Sequence, residues 1–250
     1  MMMKNETPED GPRTEYHNNG QKWSEENYKD GKLNGTWSWW YENGQISNEG
    51  NYKDGKRDGK YTSWYESGKK KSEGNFEDGE VSGKWTAWYA NSQIEIEGNY
   101  KNDKKDGKQT LWYEYGQKRR EVNYKDGKLN GRTINGWYEN GQLKEERNYK
   151  NNRIHTNWTW WRENSTKHSE MYYKDGMKRL KWTWWYENGQ IEAEYHFKGF
   201  NYGMRDGRST NWDENGQIEA VAIFKDDECI SGDCDRSEER RVGKECRSRW

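Results

Sequence analysis

Residues Trp39–Lys56 read WWYENGQISNEGNYKDGK, and this phrase returns, degraded to different degrees, along nearly the whole chain. Its central aromatic position is filled by Tyr16, Trp40, Trp64, Trp88, Trp112, Trp137, Trp161, Trp185 and Trp212, its later one by Tyr28, Tyr52, Phe76, Tyr100, Tyr124, Tyr149, Tyr173, Phe197 and Phe224. The chain therefore holds nine units at a spacing of 24 residues. The spacing slips to 25 around Ile134 and to 27 near Gly199 to Met204, where an insertion has to bulge into a loop. A fixed period of roughly 20 to 50 residues marks a repeat architecture.

The punctuation inside a unit specifies its structure. Asn-Gly between alternating segments is a strong hairpin signal, and Asn43-Gly44, Asn140-Gly141, Asn188-Gly189 and Asn215-Gly216 supply it. A type I′ turn of two residues is expected there. A second turn follows at Asp30-Gly31, Asp54-Gly55, Asp78-Gly79, Asp126-Gly127 and Asp175-Gly176. Where its Gly is missing, Asp103 and Asn152 stand in, residue types that tolerate the left-handed region. Each unit reads as two short strands and two tight turns, and helix-period segments are absent. The fold class is all-β, an elongated antiparallel β-hairpin meander.

A two-residue loop at Asn43-Gly44 sets Tyr41 opposite Ile46, Trp40 opposite Ser47 and Trp37 opposite Gly50. One face then carries Trp37, Trp39, Tyr41, Ile46, Gly50 and Tyr52, the apolar side; the other carries Ser38, Trp40, Glu42, Gln45, Glu49 and Asn51. An aromatic opposite a strand glycine recurs as Tyr61 to Gly74 and Trp85 to Gly98, covering backbone that glycine leaves bare.

Composition demands such a core. Leu, Ile, Val and Phe total only 22 of 250 residues, whereas 17 Trp and 18 Tyr supply the apolar area. The 43 basic and 44 acidic residues nearly cancel, which argues against a generic polyanion binder. No apolar run reaches membrane-spanning length and the N-terminal residues lack a secretory pattern, so cytoplasm is the default compartment. Cys229, Cys234 and Cys246 all lie near the C-terminal end, leaving the repeats without a disulfide framework.

The spacing Tyr-x-x-Gly-Lys-x-x-Gly, as in Tyr52, Gly55, Lys56 and Gly59, followed by W-Y-E-N-G-Q, resembles MORN-type repeats (membrane occupation and recognition nexus) in the variant form of bacterial YwqK-type antitoxins. The resemblance covers roughly 11–232; from Thr156 onward the units lose the second Gly or carry insertions. It implies a twisted rod of hairpins used for binding and scaffolding, with an antitoxin or immunity role in some bacterial relatives.

The organisation expected is a disordered tail at 1–10, hairpin repeats at 11–232 and an unstructured tail at 233–250. Within that tail, Arg236 to Trp250 (RSEERRVGKECRSRW) resembles the in-frame translation of a sequencing adapter and is set aside as an artefact.

Candidate chemistry is sparse. His17, His155, His168 and His196 occupy different repeat positions and no nucleophile recurs with them, so no catalytic residue is assigned. Glu25, Glu49, Glu73, Glu97, Glu121, Glu146, Glu170 and Glu194 form a column that reads as cross-strand pairing with neighbouring Lys and Thr. The Asp54–Gly59 stretch and its copies lack the ligand alternation of a calcium loop, and neither metal nor cofactor is expected. That leaves the column Trp40, Trp64, Trp88, Trp112, Trp137, Trp161 and Trp185, set among Glu, Gln and Asn, as the candidate partner-binding surface. The function expected is a non-enzymatic repeat scaffold that binds a protein partner, in its specific form a toxin. The alternative is a carbohydrate or cell-wall binding module. Nucleic acid is not expected, since Lys and Glu alternate, nor is a membrane; edge strands leave self-association open.

Overall fold

Each repeat alternates a wide loop with a tight turn, and the two kinds of connection divide the work of the motif. At the tight turns both central residues lie in the left-handed region: φ is 50° at Asp54 and 84° at Gly55, with Lys53 facing Lys56. This is the type I′ geometry. Asn102 and Asp103 adopt it without glycine at 51° and 59°, and Asn151 and Asn152 at 49° and 66°. The wide loops differ from expectation. Only Gly44 is left-handed, at 82°; Gly44 N–H donates to the Tyr41 carbonyl (2.9 Å) and Tyr41 N–H to the Gln45 carbonyl (2.8 Å). That is a type I turn closed by a left-handed glycine, the three-residue hairpin loop. The side chain of Asn43 accepts from the Gln45 N–H at 2.9 Å, which fixes the turn without moving Asn43 to positive φ.

The longer loop changes the pairing. Trp37 faces Gly50 and Trp39 faces Asn48, but after a bulge Trp40 faces Ile46 rather than Ser47. Ser47 becomes the extra residue and is buried, Tyr41 belongs to the loop, and Ile46 joins the face of Trp40, not that of Trp37. The same shift recurs at Trp64, Trp88, Trp112, Trp161, Trp185 and Trp212.

The computed structural model describes residues 10–174, 177–198 and 204–235, and these form an all-β chain of 23 antiparallel strands. It divides into two units, 1–128 and 129–250. The first runs from Gly11–Tyr16 through Lys22–Lys29, Lys32–Trp40 and Ile46–Lys53 to Lys118–Lys125, each hairpin pairing with the next. The second runs from Gly131–Trp137 and Leu143–Lys150 to Ile218–Lys225 and Glu228–Gly232. In this unit Asn135 is the extra residue behind the slip in spacing near Ile134: Ile134 faces Glu146 and Gly136 faces Glu145. The expected insertion at 199–204 falls largely outside the described residues. Regularity survives the loss of the second glycine: with Thr156 in its place, strand Arg153–Trp161 keeps the same two-residue bulge against Leu143–Lys150 that Lys32–Trp40 makes against Lys22–Lys29.

The core of the first unit is an aromatic stack. Tyr61 lies 6.1 Å from Trp37 and 5.7 Å from Trp85, and Phe76 meets Tyr61 and Trp85 edge-on. Such pairs add about 0.5–1.5 kcal/mol each beyond area burial. The guanidinium of Arg57 covers Trp37, Tyr61 and Phe76 within 6 Å. Strand glycines make room: a Cβ on Gly50 would stand 2.8 Å from Trp37 Nε1, and one on Gly74 only 2.1 Å from Trp85 Cε3. Tyr61 pairs with Gly74 as expected, yet the ring filling the space is Trp85 from the next strand, and Gly98 is filled by Gln109 rather than by its partner Trp85. Trp39, expected on the packed side, is 37% exposed against 3% for Trp37, and its indole donates to Glu26. In the second unit the core is Met171, Trp182, Trp184, Ala193, Tyr195 and Phe197, flanked by Trp158 and Trp160.

The described strands span Gly11 to Gly232. Beyond them Cys234 is joined to Cys229 by a disulfide, and Asp233 N–H donates to the Val221 carbonyl, so 233–234 are tied to the last hairpin rather than forming a loose tail. The expected tail at 1–10 and the adapter-like stretch 236–250 lie, Asp10 apart, outside the described residues. No helix among the described residues is long and apolar enough to cross a membrane.

Candidate functional site

Each Trp of the candidate column closes a strand at the bulge before the wide loop. Trp40 faces Ile46, Trp64 faces Lys70, Trp88 faces Ile94 and Trp112 faces Lys118 in the first unit; Trp137 faces Leu143, Trp161 faces Lys167 and Trp185 faces Ile191 in the second. All seven are half-buried, and each unit brings its own members to one face. Ammonium groups lie over several of the rings: Lys22 at 5.5 Å from Trp40, Lys70 at 5.7 Å from Trp88 and Lys167 at 5.1 Å from Trp185.

Beside the rings runs the glutamate column. Each Glu faces a Thr across the strand pair, as Glu73 faces Thr62, Glu97 faces Thr86 and Glu121 faces Thr110, and all three Thr are buried. Lysines clamp the carboxylates: Lys60 and Lys70 on Glu73 at 3.2 and 2.7 Å, Lys84 on Glu97 at 2.9 Å, Lys108 and Lys118 on Glu121 at 2.7 and 2.9 Å. The hydrogen bond from Lys70, helped by Lys60, holds Glu73 below the usual carboxylate range. For Glu121 burial pushes upward, but Lys108 and Lys118 outweigh it. For Glu170 the same balance is won by Asn157, Thr159 and Lys167. The column is thus cross-strand pairing with Thr, and the carboxylates of Glu25, Glu73, Glu97, Glu121, Glu146, Glu170 and Glu194 are each answered by a Lys or an Arg. Between two repeats the face opens into a groove of about 360 Å³ bordered by Lys60, Glu73, Lys84, Thr86, Trp88 and Ile94. Among the described residues no three His, Cys, Asp or Glu converge to hold a metal ion.

The column has a second role that sequence reasoning missed. The loop tyrosine of one repeat donates to the carbonyl of the column Trp of the next: Tyr41 to Trp64, Tyr65 to Trp88, Tyr89 to Trp112, Tyr138 to Trp161 and Tyr186 to Trp212, at 2.7–2.8 Å. His17 and Arg162 occupy the tyrosine position elsewhere and reach the carbonyls of Trp40 and Trp185. The loop asparagine adds a parallel bond, from Asn43 Nδ2 to the Glu66 carbonyl and from Asn91 Nδ2 to that of Glu114. Hence W-Y-E-N-G-Q encodes both a turn and a latch onto the next turn. The recurrence of Tyr directly after six of the seven column Trp, at the repeat period, is the signal that could have disclosed it.

The described geometry agrees with the comparisons. The profile of the MORN repeat variant matches residues 9–30, 33–54, 57–78, 82–102, 105–126, 136–151, 180–198 and 205–226. It passes over the hairpin of Arg153–Trp161 and Lys167–Lys174, which nonetheless keeps the repeat geometry. No curated protein is significantly similar to the chain. Solved structures titled "Crystal Structure of TcdB2-TccC3-Cdc42" and "Crystal Structure of TcdB2-TccC3-TEV" each contain a chain 10% identical to this one, aligned over 85% and 90% of it, with TM-scores of 0.21 and 0.20. This chain spans only 14% and 15% of those chains' lengths, and likeness of that order carries no argument about fold or function. The profile matches, covering more than half of the chain on hairpins that repeat one turn, one latch and one ion-pair pattern, show that it belongs to the MORN repeat variant family.

Proposed function

We propose that this protein is a non-enzymatic repeat scaffold that binds a protein partner on the face of Trp40, Trp64, Trp88, Trp112, Trp137, Trp161 and Trp185. The observation that carries the reading is the open groove at Trp88, where an aromatic wall, Ile94 and charged rims at Lys84 and Glu73 meet on a face that no other layer covers among the described residues. Apolar centres with polar rims are what protein hot spots use. The narrower form, an antitoxin or immunity protein whose partner is a toxin, draws its support from the resemblance to bacterial antitoxins. A photo-crosslinking residue at Asn75, exposed on this face, should capture one discrete protein in the native host, and the Trp64→Ala/Trp88→Ala variant should lose it. The same probe at Trp39, exposed on the opposite side, should not capture it. Equal capture from both positions would overturn the assignment of the face.

A carbohydrate is the second reading, favoured by the amide of Asn75 and the carboxylate of Glu97 beside the Trp88 ring. It requires retardation of the protein by polysaccharide gels that the Trp88→Ala variant no longer shows.

A further inference from the structure

On the ion-paired face of the first unit the two signs of charge sit at different depths. The side chains of Lys60, Lys84 and Lys108 are 64%, 62% and 55% exposed, whereas those of their partners Glu73, Glu97 and Glu121 are 31%, 39% and 13% exposed. Lys70 and Lys118 add a second ammonium to Glu73 and Glu121, so five ammonium groups stand on three carboxylates. Three charges are neutralised from beneath, and what the face offers outward is positive, in a column, with one aromatic wall per repeat from Trp64, Trp88 and Trp112.

The column also has a ruler. Equivalent residues of successive repeats are two strands apart, about 9.6 Å. A polyproline II helix has three residues per turn rising about 3.1 Å each, so one side chain in three returns every ~9.3 Å on the same face. Over three repeats the two periods drift apart by less than about 1 Å. An extended β-strand presents same-side residues every ~6.6 Å and falls out of step after one repeat. Aromatic-lined grooves are the usual seat of polyproline II, whose low conformational entropy makes shallow grooves sufficient.

We infer that the face built by Lys60, Lys84 and Lys108 with Trp64, Trp88 and Trp112 docks an acidic polyproline II segment of a partner protein, lying across the strands with one turn and one carboxylate per repeat. This rests on the protein-partner reading above and gives it a chemistry: the ammonium groups answer the carboxylates, and the intervening prolines lie against the Trp walls and Ile94.

The probe is a fluorescent (Pro-Pro-Glu)5 peptide titrated by anisotropy against the full chain. It should bind at least tenfold more tightly than (Pro-Pro-Lys)5, and than a shuffled peptide of the same composition whose Glu are spaced by two and four residues. Lys84→Gln/Lys108→Gln should weaken it at least tenfold, while Lys56→Gln, beside the tight turn at Gly79, should not. Raising salt on the wild-type protein should weaken it as well, a readout that needs no variant to fold. Equal binding of the ordered and shuffled peptides would overturn the register, and indifference to salt or to the Lys84/Lys108 change would overturn the docking face. Tighter, Lys84-dependent binding of an oligogalacturonate would overturn the peptide in favour of an anionic glycan. If the peptide fails to bind while the crosslink at Asn75 still captures a protein, this inference falls and the protein-partner reading stands; failure of both removes both.

Discussion

The phenol of Tyr65 donates to the main-chain carbonyl of Trp88, 2.7 Å away and 23 residues further along the chain. That bond joins the wide loop of one repeat to the end of the column strand of the next, in a place where the β ladder has already ended. Stability between hairpins therefore has two sources, the ladder and the latch, and the latch can be removed without touching the ladder. Tyr65→Phe should cost about 0.5–1.5 kcal/mol by urea denaturation, the usual net worth of such a bond. Tyr65→Phe/Tyr89→Phe should cost more than either single variant, because each removes a separate latch. A silent double variant would show that the phenols merely decorate the loop edge.

The latches also set an alkaline limit. Burial raises the phenol groups of Tyr65, Tyr89 and Tyr138 above their ordinary range, with nearby glutamates adding to it, Glu95 and Glu114 for Tyr65 and Tyr89 and Glu163 for Tyr138. A folded value above the unfolded one means the stabilisation is full below the unfolded value, near pH 10, and fades as pH rises from there through the folded value. Melting temperature should fall above about pH 10, and less steeply in Tyr65→Phe/Tyr89→Phe, which has fewer phenols to ionise. Identical alkaline slopes for the two proteins would contradict the assignment.

Glu170 gives the opposite sign. Burial alone would raise it, but hydrogen bonds from Asn157, Thr159 and Lys167 hold it below the usual range. Its contribution is complete above the unfolded carboxylate value and drains away as pH falls from about 4.3 through the lower folded value. Glu170→Gln should therefore be less stable than wild type at neutral pH and approach it in acid, measured by thermal melts at both. A gap that widens in acid would show that the carboxylate is held by something other than these donors.

The repeat, its period and its strand order were legible because glycine, asparagine and aspartate recur at positions where backbone conformation leaves few choices. Less was legible at Asn43-Gly44. The dipeptide suits either a two-residue or a three-residue loop, and the choice rests on Tyr41 and Gln45, whose backbone bond closes the longer one. That single extra residue moved Ile46 across the sheet and left Ser47 in the bulge. The face of Trp40 and its successors was legible as a column. Its latch was not, because a carbonyl acceptor has no letter in the sequence. The depth difference between Lys and Glu was hidden for a similar reason: alternation of charge says which residues pair, and only packing says which of the pair stands outside.

Glycines on the packed side separate steric from conformational roles. Gly74 has ordinary φ, yet a Cβ there would lie 2.1 Å from Trp85 Cε3, a ring held by Tyr61 and Phe76. Gly74→Ala should destabilise by about 1–3 kcal/mol, the cost of overpacking a fitted core. Gly136 also has ordinary φ, and a Cβ there meets nothing within 4 Å, so Gly136→Ala should change stability by less than about 0.5 kcal/mol. Equal effects in denaturant melts would mean that Trp85 can move aside and that the stack is not fitted.

Because every hairpin meets only its neighbours, the first unit should tolerate the loss of a whole repeat but not of half. Removing Lys60 to Gly83, 24 residues, joins Gly59 to Lys84 and preserves the direction of every later strand. Tyr41 then meets the carbonyl of Trp88 in place of Trp64, Asn43 that of Ala90 in place of Glu66, and Trp85 takes the place of Tyr61 beside Trp37. Removing Lys60 to Lys71, half the length, joins Gly59 to Ser72, takes out one strand and its wide loop, and reverses the direction of every later strand, so that two tight turns follow each other with no wide loop between them. Neither the bulge at Trp64 nor the Glu column can re-form in that arrangement. The longer deletion should keep the β-sheet circular dichroism and a single cooperative melt, and the shorter one should lose both from the first unit. If the two deletions unfold alike, the latches and the aromatic stack are tuned to particular neighbours rather than to the repeat.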